Sequence, residues 1–128
     1  MKKIRVILFL CFFSVQSFAQ WKSYYPESKT NKKEVETKNK EKNKHMFDSH
    51  FFTALKAKSL EDFDVALKHF EKCIKLDDKN AIPFYEAALI NARNGSYDLA
   101  TEQIKIAVKL DSKNRWYALS YAEILFSN

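Results

Sequence analysis

The chain has 128 residues and a formal charge of +6, with 46% hydrophobic residues and a single glycine, Gly95. That length allows one modest domain with appendages. One glycine excludes phosphate-cradling loops and dinucleotide fingerprints, which need several backbone positions that only glycine tolerates. The charge is uneven: +3 over residues 1–20 (Lys2, Lys3, Arg5), +4 over 21–46 (eight Lys, four Glu), and −1 over 47–128 (eleven Lys or Arg, twelve Asp or Glu). With no basic stripe on the part expected to fold, nucleic acid is not an expected partner.

Residues 1–19 read as a secretory signal peptide. Lys2, Lys3 and Arg5 precede the apolar run Val6–Phe13, and Ser17-Phe18-Ala19 supplies a small-x-small cleavage site between Ala19 and Gln20. The run is too short for a spanning helix, which needs about 20 apolar residues. The mature chain is therefore expected to carry no transmembrane span and to be exported to the periplasm or cell envelope, or secreted. Cys11 follows Leu10 rather than a small residue, which argues against a lipid-modified cysteine.

Residues 20–46 are rich in Lys, Asn and Glu and hold hardly an apolar residue after Tyr25 except Val35. Such a stretch cannot bury enough surface to offset chain entropy, so a disordered tether is expected. The alternative is a basic arm for an acidic surface, which Glu34, Glu36 and Glu41 dilute.

Helical periodicity begins at Phe47. Phe47, Phe51, Ala54, Leu55 and Ala57 mark a first helix, with Asp48 or Ser49 as its cap. After a turn at Leu60-Glu61-Asp62, Asp62 caps a second helix that buries Phe63, Ala66, Leu67, Phe70, Cys73, Ile74 and Leu76. Asn80 caps a third, with Pro83 in its first turn and Phe84, Ala87, Ala88, Leu89 and Ile90 following. Asn94-Gly95-Ser96 turns the chain into a fourth helix carrying Tyr97, Ala100, Ile104, Ala107, Val108 and Leu110. Asn114 then caps a fifth, Arg115 to Phe126.

The second and fourth helices are copies of one pattern at a constant offset of 34, from Phe63 to Tyr97 and from Asn80 to Asn114. Asp64 returns as Asp98, Ala66 as Ala100, Cys73 as Ala107, and Lys75-Leu76-Asp77-x-Lys79-Asn80 as Lys109-Leu110-Asp111-x-Lys113-Asn114. A period of that length is a helix-pair repeat, and the expected fold is an all-α solenoid of antiparallel helix pairs. About two and a half repeats are present: 47–80, 81–114, and the first helix of a third over 115–128.

At these residues the chain resembles the tetratricopeptide repeat family. Ala54, Ala66 and Cys73, then Ala88, Ala100 and Ala107, match the family's small crossing positions. Phe63 and Tyr97 match the aromatic after the turn, Phe70 matches the aromatic of the second helix, and Ile104 is an apolar substitute for it. Departures are Asp78 and Ser112 in place of the linker proline, Glu61 in place of glycine, and polar Asn91. The resemblance implies a non-enzymatic protein-interaction module, whose first helices line a groove for a partner protein or peptide. Its positions here are Asp48, Phe51, Phe52, Leu55, Ile82, Tyr85, Glu86, Leu89, Arg93, Trp116, Leu119 and Glu123. For Phe52, Tyr85 and Trp116, groove and core are equally open. One subclass clamps a C-terminal carboxylate, but the matching positions are Phe51, Leu55, Glu86, Trp116 and Ser120, which cannot form that clamp. The other function class is structural: an N-terminal piece of a longer array with no binding of its own.

No catalytic residue, cofactor or metal is expected. His45, His50 and His69 read as helix-surface histidines, since no second Cys or carboxylate recurs at ligand spacing. Asp77, Asp78 and Asp111 are explained by the repeat turn, and Cys73 by packing at a crossing. The fifth helix is apolar nearly all round, so burial on both sides is expected, against further chain, a second copy or a partner.

Overall fold

The computed structural model describes residues 29–127. The signal peptide, its Ala19–Gln20 junction, Cys11 and the Trp21 end of the tether lie outside them. Five helices follow one another: α1 Lys29–Ser59, α2 Phe63–Leu76, α3 Ala81–Arg93, α4 Tyr97–Leu110 and α5 Arg115–Ser127. Among the described residues the architecture is all-α, a row of antiparallel helix pairs joined by short turns. Residues 39–128 form one compact unit.

Helix α1 differs from expectation at its start. It begins at Lys29, inside the stretch read as a disordered tether, and not at Phe47. Asp48 and Ser49 are therefore interior residues and cap nothing. Lys and Glu side chains lose little rotamer freedom in a helix, which favours this conformation locally. The i,i+4 pair of Glu34 with Lys38, 2.8 Å apart, adds a few tenths of a kcal/mol. Yet every side chain from Lys32 to Met46 is exposed. This stretch is helical without being packed, and its lack of apolar residues causes that.

The other boundaries follow their capping residues. Asp62 Oδ1 accepts from Val65 N at 3.3 Å, Asn80 Oδ1 from Ile82 N at 3.1 Å and Asn114 Oδ1 from Trp116 N at 3.1 Å. Ser96 stands at the α4 N-cap position, but its hydroxyl makes no capping bond. Gly95 takes φ +78° in the turn before it, as a C′ glycine does.

Two apolar clusters hold residues 39–128 together. The first gathers Ala54 and Ala57 of α1, Ala66 and Phe70 of α2, and Ala87 and Ile90 of α3. The second gathers Ala81, Phe84 and Ala88 of α3, Ala100, Ile104 and Ala107 of α4, and Tyr117 and Ile124 of α5. Alanines at the crossings let backbones approach, and Phe70 and Ile104, both fully buried, fill the space beside them. Burying one such large side chain stabilises by about 1.5–3 kcal/mol. Every small crossing position named from the repeat, Cys73 included, is buried. Phe63, Leu67, Ile74, Leu76, Tyr97 and Val108 are half-buried. Leu110 departs from expectation and is exposed at the end of α4. Among the described residues, no later second helix lies beside it.

Candidate functional site

The first helices of the pairs, α1, α3 and α5, sit side by side and are linked through the residues read as groove-forming. Lys58 of α1 forms an ion pair with Glu86 of α3, and the Glu86 carboxylate is largely enclosed. Tyr85 of α3 and Tyr117 of α5 bring their rings to 4.7 Å. The Tyr85 hydroxyl lies 3.5 Å from Ser120 Oγ. Arg93, at the end of α3, reaches Glu61 and also covers the Phe63 ring at 4.9 Å.

These contacts sort the candidates into two groups. Phe51, Leu55, Tyr85 and Leu89 are half-buried. Phe51 packs on Phe70, with ring centroids 6.1 Å apart, and on Phe47 at 5.8 Å, so it serves the core as much as the surface. Phe52, Ile82, Trp116 and Leu119 instead present their side chains to solvent, Phe52 at 69% and Trp116 at 71% exposure. The open question at Phe52 and Trp116 is thereby answered: neither is a core residue. Tyr85 belongs with the packed group. Asp48 and Glu123 are exposed.

Electrostatics follow from these neighbours. Burial, helped by the negative charges of Asp111 and Glu86 and by Tyr85, pushes the Tyr117 phenol above its ordinary value, so it stays neutral. Burial alone pushes the Cys73 thiol up to about 11. Its Sγ lies 3.7 Å from the Phe47 carbonyl, to which it donates. That is an unreactive packing cysteine.

Lys58 and Tyr117 on this face were not among the residues singled out from the sequence, and Glu61 was noted only as a turn residue in place of glycine. Tyr117 carried a signal, because it aligns at the offset of 34 with Pro83, and both are buried. Lys58 and Glu61 carried none, since nothing in a single sequence pairs residues 28 or 32 positions apart. Among the described residues no helix is long and apolar enough to cross a membrane. No family model matches the chain, and no curated protein matches it.

Proposed function

We propose that residues 47–128 form a non-enzymatic module of tetratricopeptide type that binds a protein or peptide through its first helices. One observation carries this reading: Phe52, Ile82, Trp116 and Leu119 hold large apolar side chains in solvent on α1, α3 and α5. Leaving such groups uncovered brings the fold no stability, and aromatic anchors are what partner surfaces favour. Export to the periplasm or cell envelope is part of the proposal and rests only on the pattern of residues 1–20.

The test is capture of a partner by the intact chain, followed by Phe52→Ser with Trp116→Ser, and by Leu99→Ser on α4 as a control. The first pair of changes should abolish capture of the same partner and the control should retain it. Equal capture by all forms would sink the reading.

A second reading is favoured by a separate observation. Ala118, Ala122 and Leu125 of α5 are exposed, whereas their counterparts in α3, Phe84, Ala88 and Asn91, are buried under α4. We propose that this uncovered face joins a second copy of the chain.

A further inference from the structure

The first helix pair departs from the second at one level of its crossing. In α3–α4 that level is apolar on the first helix, where Phe84 is buried beside Ile104. On the second helix, Gln103 meets Asn91, whose Nδ2 donates to Gln103 Oε1 at 2.8 Å. At the offset of 34, His50 stands for Phe84 and His69 for Gln103, while Ala57 stands for Asn91. His69 has therefore lost the amide partner that its counterpart has. Its Nδ1 is enclosed and has no hydrogen-bond partner, an arrangement that asks for an explanation. The fold brings the other imidazole to it: the His50 and His69 rings lie 5.1 Å apart between centroids, inclined at 66°.

We propose that His50 and His69 form a two-imidazole site for a borderline divalent transition metal, Zn²⁺ or Cu²⁺, that staples α1 to α2. Imidazole nitrogen suits these ions, whereas Ca²⁺ and Mg²⁺ require oxygen ligands. Neutral imidazole is the ligand form. Lys72 and Lys68 lie near His69. The two lysines repel a cation, which keeps the affinity modest. Among the described residues no set of three or more His, Cys, Asp or Glu side chains converges. Water therefore completes the coordination. Cys73, one turn beyond His69, is buried and its thiol donates to the Phe47 carbonyl.

The experiment uses the full chain, freed of metal by a chelator and then titrated with ZnCl₂ while thermal unfolding is followed. A metal that binds the folded hairpin alone should raise Tm by roughly 5 °C or more once free Zn²⁺ is about 100-fold above Kd. His50→Gln should abolish that rise, whereas His45→Gln, which alters an exposed histidine of the same helix, should keep it. His69→Gln should behave as His50→Gln does; if it fails to fold, the His50 variant carries the test. Cu²⁺ added to the full chain should give a paramagnetic resonance spectrum with two imidazole nitrogens, reduced to one in His50→Gln. No rise in Tm, a rise that survives His50→Gln, or a copper spectrum unchanged by that substitution would each overturn the proposal.

Discussion

Arg93 Nη2 donates to Glu61 Oε1 at 2.8 Å, tying the end of α3 to the turn of the preceding helix pair. The same guanidinium lies over the Phe63 ring. Glu61 holds this position at φ +60°, the left-handed region, and is the one non-glycine residue of the described chain to do so. Its counterpart 34 residues later is Gly95, at φ +78°. The repeat needs a left-handed residue here, and the first pair meets that need with a strained glutamate and a compensating contact.

Two substitutions separate strain from contact. A non-glycine residue in the left-handed region costs about 1 kcal/mol or more, and an exposed ion pair contributes about 0.2–1 kcal/mol. Glu61→Gly should therefore leave stability unchanged or raise it by up to about 0.5 kcal/mol. Gly95→Ala should lower it by about 1 kcal/mol through the backbone alone, since a Cβ there meets nothing within 4 Å. Urea unfolding of both variants checks this. A loss above about 1 kcal/mol in Glu61→Gly would show that the Arg93 contact outweighs the strain.

Packing gives the next prediction. Ala100 is fully buried where α4 crosses α3, and Lys105 on the same helix is exposed. Overpacking typically costs about 1–3 kcal/mol, and Ala100→Trp adds more volume than most such changes. Lys105→Glu should shift stability by less than about 0.5 kcal/mol. Equal melting shifts for the two would mean that the repeat register is wrong.

Helices whose chemistry is local or periodic were legible from residues alone. Asn80 and Asn114 cap because a short side-chain oxygen beside a helix start has one good use. Ala66, Ala100 and Phe70 declare a core because burial recurs at fixed spacing. Lys29 to Met46 was not legible as helix, because lack of apolar residues predicts lack of packing, and packing and backbone conformation are separate matters. Sequence places His50 and His69 on the surfaces of two helices of one hairpin, and their meeting depends on how those helices cross. Exposure at Phe52 and Trp116 was undecidable beforehand, as periodicity places an aromatic on a helix face without saying what covers it.

Alkaline pH offers a check on the first crossing. Cys73 is neutral and buried, with its ionisation moved from the ordinary 9.0 to about 11. A thiol whose folded value is raised contributes stability that is fully present below the unfolded value and disappears as pH rises through the folded one. Stability should therefore fall between about pH 9 and pH 11 in the native chain, and by less in Cys73→Ala. At pH 8, iodoacetamide should label Cys73 slowly, with full reactivity only in denaturant. Rapid labelling of the folded chain, followed by mass spectrometry of the Cys73 peptide, would contradict this packing.

The uncovered face of α5 gives the last prediction. Helix α5 turns Tyr117, Ser120 and Ile124 inward, and all three are buried against the α3–α4 pair. Its uncovered side carries Ala118, Ala122, Leu125 and Phe126, the last 94% exposed. Ala122 aligns with Ala54 and Ala88, both fully buried at helix crossings. The helix thus presents a crossing surface, small residues flanked by large ones, with no helix across it among the described residues. Exposed apolar area of this kind drives association, and a twofold pairing can place the same surface on both partners. Sedimentation of the full chain should show a concentration-dependent shift from monomer to dimer. Leu125→Lys with Phe126→Lys should abolish that shift and leave helix content unchanged, because neither side chain contributes to the buried core. A chain that sediments as a monomer at all concentrations, or a double variant that still dimerises, would remove α5 as the contact.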